Sequence, residues 1–122
     1  MSADATSTEN PTIFGKILAG EIPATRLWED DECIAFADIQ PSAPTHVLVI
    51  PRKYIPTLAH AEEADKALLG HMLVVVTKIA EQLGVTEGGY RVVINVGEGG
   101  GQSVFHLHMH LLAGRSFSWP PG

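Results

Sequence analysis

Apolar positions along this chain follow two rhythms, and the points where one gives way to the other mark its elements. Ile13, Phe14, Ile17 and Leu18 repeat at helical spacing. Thr12 stands where its hydroxyl can cap them, and Gly20 can end the turn in a left-handed conformation. Pro23 then forces an extended stretch. Residues 25–29 and 32–38 read as two strands around a tight Asp30-Asp31 turn. The second run (Cys33, Ile34, Ala35, Phe36, Ala37) is apolar throughout, which predicts burial on both faces. Pro41 and Pro44 make the next segment a loop. Residues 45–51 form a third strand rich in β-branched side chains. Residues 52–60 are irregular or briefly helical.

The longest helical pattern spans residues 62–83, acidic at its start (Glu62, Glu63, Asp65) and followed by Gly84. Its apolar positions, 68, 69, 72, 73, 75, 76, 79, 80 and 83, cover more than one stripe. Two packings satisfy that pattern. Either the helix lies between its own sheet and a partner, or it lies under the sheet with some valines exposed. A fourth strand is expected over residues 90–96, a glycine-rich loop over 97–101, and a fifth strand over 104–112. Without regular βαβ alternation, this predicts an α+β domain. Its mainly antiparallel five-stranded sheet would carry one long helix and one short N-terminal helix.

The fifth strand holds the candidate chemistry. His106, His108 and His110 sit at alternate positions, so a strand would line their rings on one face. Phe105, Leu107, Met109 and Leu111 would then face the core. The loop just upstream (Gly99, Gly100, Gly101, Gln102, Ser103) lets a backbone approach an anion closely. Two chemistries use such a row. Neutral imidazoles can bind zinc with an open water position. Alternatively one imidazole attacks phosphorus while its neighbours donate to the phosphoryl oxygens. No carboxylate or cysteine adjoins the three histidines in sequence, and a metal site has no need of an anion-binding loop. His60 and His71 have no such company. Asp38 could accept hydrogen bonds from ribose hydroxyls or be a solvated turn residue.

Composition narrows the partners. The 122 residues are 45% hydrophobic and 18% charged, with a formal charge of -6. An acidic domain is ill suited to gripping long nucleic acid. Its apolar runs fall far short of a membrane span. Cys33, the single cysteine, reads as a small buried hydrophobe in a reducing cytosol, which gives a cytoplasmic expectation. Residues 1–10 carry no leader pattern and read as a disordered lead-in to one domain over 11–122.

The string from Gly101 to Leu112 resembles the histidine triad family, in which three histidines alternate with apolar residues. Further segments are similar to its Hint branch, the histidine triad nucleotide-binding proteins. They include Thr12-Ile13-Phe14-Gly15-Lys16-Ile17, Glu21-Ile22-Pro23-Ala24, Ala43-Pro44-Thr45-His46 and Trp119-Pro120-Pro121-Gly122. The resemblance implies a homodimer with purine nucleoside phosphoramidase activity, releasing amines from the 5′ phosphate of AMP or GMP; a non-catalytic module that binds a purine nucleotide or a protein partner is the alternative use of the same pocket, and no cofactor or metal is expected. It makes His108 the nucleophile, His110 a phosphate contact, and His106 a support whose carbonyl orients the nucleophile. His46 would face the site from the third strand. Ile13, Phe14, Ile17, Phe36, Asp38, Ile39 and Leu48 would hold base and ribose. Asn95, Gly101, Gln102 and Ser103 would meet the phosphate or leaving group, with Ser103 relaying a proton. Ala37 stands where close relatives often carry histidine, which bears on base preference.

Overall fold

The computed structural model describes residues 10–122. Residues 1–9 of the expected lead-in lie outside that range. Its chain order is α1 (Ile13–Leu18), β1 (Arg26–Glu29), β2 (Cys33–Ala37), β3 (Thr45–Pro51), α2 (Lys66–Gln82), β4 (Tyr90–Val93) and β5 (Met109–Ala113). The five strands form one sheet in the order β1-β2-β3-β5-β4, and every pair is antiparallel. No helix among the described residues is long and apolar enough to cross a membrane.

Local signals account for most boundaries. The Thr12 hydroxyl accepts the N–H of Gly15, so the six-residue α1 starts where a side chain caps it. Gly20 follows with φ +79, a conformation that costs glycine little. At the β1–β2 turn, Asp30 works as a hub. Its Oδ1 accepts the N–H groups of Glu32 (2.8 Å) and Cys33 (2.9 Å). Its Oδ2 accepts Trp28 Nε1–H and His71 Nε2–H, each at 2.7 Å. His71, which the sequence left without a role, thereby ties α2 to the hairpin. Burial alone would raise the Asp30 pKa, but donation from Trp28, Glu32, Cys33 and His71 outweighs it and holds the carboxyl well below its usual range. Burial, reinforced by the Asp30 charge, pushes the Cys33 thiol up to about 12.

The central strands are apolar throughout because the sheet is covered on both faces. Cys33, Ala35, Val47, Val49, Met109 and Leu111 pack against Met72, Val75, Val76, Ile79 and Ala80 of α2. Those helix positions make a single i, i+3, i+4, i+7 stripe. Leu73 and Val74 stay about half exposed on the far side of α2, at 46% and 51%. On the other face, Ile34, Phe36, Leu48 and Ile50 pack against Phe14 and Ile17 of α1. His46 on β3 and His110 on β5 belong to this second face, since Leu48 pairs with His110 and His46 with Leu112.

β1 and β2 differ from their expected ranges by a single residue at one end or both, and two strands fall well short of their sequence patterns. β4 ends at Val93 rather than at residue 96. β5 begins at Met109 rather than at 104, so only His110 of the three histidines lies in the sheet. The reason lies in the preceding segment, which is bonded elsewhere. Leu107 N–H donates to Ile55 O at 2.7 Å, and the Gln102 amide reaches Pro56 O and Val104 O. Phe105 is therefore 42% exposed instead of entering the core, while Leu107, Met109 and Leu111 are buried as expected.

Candidate functional site

The site forms where α1, the start of β3 and the approach to β5 meet on the sheet face away from α2. Four histidine rings are buried there or half-buried. Main-chain groups decide which nitrogen of each ring carries the proton, because a carbonyl can only accept and an amide N–H can only donate. His108 Nδ1 lies 2.8 Å from the His106 carbonyl and must donate to it, which leaves the Nε2 lone pair free. Ser42 N–H donates to His46 Nδ1 at 3.0 Å, so the neutral His46 ring carries its proton on Nε2. That proton points at His110 Nδ1, 2.9 Å away. His110 must then carry its own proton on Nε2, an atom that is buried and has no partner among the described residues. The chain of constraints ends in two complementary atoms: a bare nitrogen on His108 and a donor on His110, with ring centroids 4.9 Å apart.

All four rings are held neutral. Burial lowers the pKa of His46 against the opposing pull of Asp38. It also lowers those of His106 and His108, against the hydrogen bonds to the Pro51 and His106 carbonyls. His110 falls furthest, to about 4, through burial and then the positive charge that His108 or His46 would bring. Neutral imidazoles are the form that the tautomer argument requires.

Beside the rings lies an apolar pocket of about 110 Å³. All seven residues expected to hold base and ribose line it: Ile13, Phe14, Ile17, Phe36, Asp38, Ile39 and Leu48. Ala37, expected to bear on base preference, also lines it, and Ile22, Pro23 and Ala24, which were missed, complete the wall. Pro23 signalled only an extended segment, and that segment turns out to fold back over β2. Phe14 joins pocket to chemistry, with its ring edge-on to Phe36 at 5.5 Å and to His108 at 5.0 Å. Ile39, 90% exposed, stands at the rim.

Other expected residues are placed differently. His106 precedes the first residue of β5 and is fully buried, packed against Phe14 as His108 is, with Nε2 donating to Pro51 O at 2.8 Å. The Gln102 side chain is spent inside its own loop, accepting Gly97 N–H and donating to Pro56 and Val104 carbonyls. Asn95 donates across the same loop to Gly100 O. Gly97 and Gly101 take φ +73 and +85, so the loop depends on glycine at those two positions. Ser103 is exposed at the end of this loop.

A carboxylate does adjoin the histidines, contrary to the sequence pattern. Asp38 Oδ2 lies 3.5 Å from His46 Nε2. Asp38, His46 and His110 together have the spacing to hold a metal ion. Their hydrogen bonding does not favour one. Ser42 already occupies the Nδ1 lone pair of His46, so a cation on Nε2 would require an imidazolate. The proton shared with His110 is the better occupant. Asp30, Cys33 and His71 form a second such group, where Trp28 holds the carboxylate and the thiol keeps its proton.

Comparison with known proteins bears on the family and the fold. A family model described as HIT domain matches residues 19–117. An uncharacterized HIT-like protein of Synechococcus elongatus is 59% identical over 111 residues, 91% of this chain and 96% of that protein. The crystal structure of a HIT family hydrolase from Legionella pneumophila superposes with TM-score 0.88 at 51% identity, covering 90% of this chain and 98% of that one. A histidine triad nucleotide-binding protein from Candida albicans gives TM-score 0.77 at 36% identity, covering 89% and 82%. The five-stranded antiparallel sheet with one long and one short helix is thus the fold of these proteins, and the chain belongs to the HIT domain family.

Proposed function

We propose that this protein is a purine nucleoside phosphoramidase of the Hint branch, cleaving the P–N bond of AMP- and GMP-amine compounds through a nucleotidyl-histidine. The observation that carries the reading is the pairing of the bare His108 Nε2 with the buried Nε2–H donor of His110, beside an apolar pocket. Likeness to a HIT family hydrolase and to a histidine triad nucleotide-binding protein supports it. The base lies between Phe14, Phe36 and aliphatic side chains. Among the described residues that line the pocket, Asp38 alone is polar, and it takes the ribose hydroxyls. No side chain there reads the edge of the base, so adenine and guanine are both accepted.

In the first step His108 Nε2 attacks phosphorus. The P–N bond breaks, and its electron pair goes to nitrogen, which gains a proton that solvent supplies through the exposed Ser103 hydroxyl and leaves as the amine. The His110 Nε2–H donates to the phosphoryl oxygen on which negative charge builds. In the second step water attacks phosphorus and gives up a proton to solvent, the P–N bond to His108 breaks with its electron pair returning to Nε2, and the nucleoside monophosphate is released. The reading uses no cofactor, long nucleic acid or membrane, and places the enzyme in the cytoplasm. It includes a homodimer. The half-exposed Leu73 and Val74 of α2, Val92 on the edge strand β4, and Trp119, 81% exposed, are the surfaces a second copy would cover.

Mixing the protein with an AMP-amine phosphoramidate and quenching rapidly should give a population heavier by one adenylyl group. His108→Ala should abolish that adduct and lower turnover by about 10³-fold or more. EDTA-treated protein should keep its rate. A wild-type rate in His108→Ala would remove the nucleophile, and zinc-restorable loss of activity would favour a metal enzyme.

The pH profile follows from the lowered histidine pKa values. The reactive form has a neutral His108, so kcat/KM falls with decreasing pH only below the pKa of that ring. An ordinary imidazole, near 6.5, would leave about one quarter of the enzyme active at pH 6.0. Burial keeps His108 below that value, so the rate at pH 6.0 should remain above one quarter of the plateau. A midpoint at or above 6.5 would contradict the neutral ring.

Ser103→Ala should slow adenylylation by amine-leaving substrates about a hundredfold. A nitrophenolate ester, whose leaving group needs no proton, should be much less affected. Equal slowing of both would reduce Ser103 to a shaping role. Sedimentation at micromolar concentration should show two copies, and a monomer would remove the dimer from this reading.

A further inference from the structure

Asn10 stands at the start of the described chain, where the sequence pattern places only a lead-in. Its side chain is instead wired into the site. Asn10 Oδ1 accepts the N–H of Thr12 at 3.0 Å and the Thr12 hydroxyl at 2.6 Å. That hydroxyl accepts Gly15 N–H at 3.1 Å, so its own proton is free to point at Asn10. Since the Thr12 N–H can only donate, the amide is oriented with its oxygen toward Thr12 and its NH₂ toward His106.

The Asn10 Nδ2 group reaches His106 Nδ1 at 2.5 Å, while His106 Nε2 meets the Pro51 carbonyl at 2.8 Å. A donor on one ring nitrogen and an acceptor on the other leave a single neutral tautomer, protonated at Nε2. Phe14 and Tyr54 pack against the ring, and His108 is its titratable neighbour across the shared backbone. The His106 carbonyl in turn fixes the His108 ring. The sequence makes room for this arrangement at Gly15, where a Cβ would fall 2.6 Å from both the side chain and the carbonyl of Asn10. A helix interior has no other use for glycine there.

We propose that Asn10 is a positioning residue, which locks the His106 ring through its amide and, through the His106 carbonyl, sets the orientation of the His108 imidazole. The catalytic part of this statement rests on the reading of His108 as nucleophile; the ring geometry does not. Asparagine is required in this role, because the residue must accept from Thr12 and donate to His106 with the same side chain.

Asn10→Asp separates this from simple support of α1. Aspartate accepts from Thr12 just as well, but it presents an acceptor to His106 Nδ1. The ring, already donating to Pro51, must then take a second proton. Nitrogen-detected NMR of the imidazoles should show wild-type His106 as the neutral Nε2–H tautomer at pH 7, and Asn10→Asp should show it doubly protonated. Asn10→Ala should keep the tautomer but broaden the His106 and His108 ring signals. In both variants kcat should fall about tenfold with KM within about twofold, since orientation rather than substrate binding is lost. Gly15→Ala, which displaces Asn10 without touching the rings, should reproduce the Asn10→Ala spectra and kcat. The proposal is overturned if His106 in Asn10→Asp remains neutral at Nε2–H. It is equally overturned if Asn10→Ala leaves the His108 signals and kcat unchanged. If the wild-type protein proves inactive on phosphoramidates, the proposed activity falls, and the ring spectra alone still decide the role of Asn10.

Discussion

The hydrogen bond from His108 Nδ1 to the carbonyl of His106 is the contact around which the site is arranged. A peptide carbonyl has no protons to give, so it forces the proton onto one ring nitrogen and leaves the other bare. The Ser42 amide imposes the opposite choice on His46, and the choice passes to His110. Four chemically equivalent side chains thus acquire distinct roles chiefly through main-chain groups. Burial completes the effect by keeping the rings neutral, so that the tautomers stay distinct at physiological pH.

This polar arrangement is possible because the sheet divides its two faces between two tasks. The face under α2 is packed with Val, Met, Leu and Ala side chains and supplies most of the cohesion. The opposite face is covered by the short α1 and the segment that follows it, so it can carry histidines and an open pocket. Strand alternation connects the two: Val47 and Val49 go to the core while His46 and Leu48 go to the site. A one-residue slip of β3 would exchange the two sets.

Where the backbone periodicity was undisturbed, the sequence was informative to the residue. The third strand falls on Thr45–Pro51, and the seven side chains expected around the nucleoside do share one pocket. What it could not show were features set by distant partners. Strict alternation from 104 to 112 suggested a full strand, yet Leu107 bonds to Ile55, and His106 bonds to Pro51. The same pattern could not reveal that Asp38, eight residues before His46, comes within 3.5 Å of it. Gln102 was read for its position next to glycines, but three hydrogen bonds consume its amide. The Asn10 contact spans 96 positions of chain, and local patterning carries no signal over such a separation.

The Asp30 hub gives the molecule a built-in gauge of its own opening. Cys33 is fully enclosed between sheet and α2, and its thiol is held in the protonated, unreactive form. It becomes available to an alkylating reagent only when the hairpin separates from the helix, which exposes the sulfur and restores an ordinary thiol pKa at once. The rate at which this native cysteine is labelled therefore reports how often that part of the fold opens. No foreign probe is needed, and the site on the other face of the sheet is left untouched.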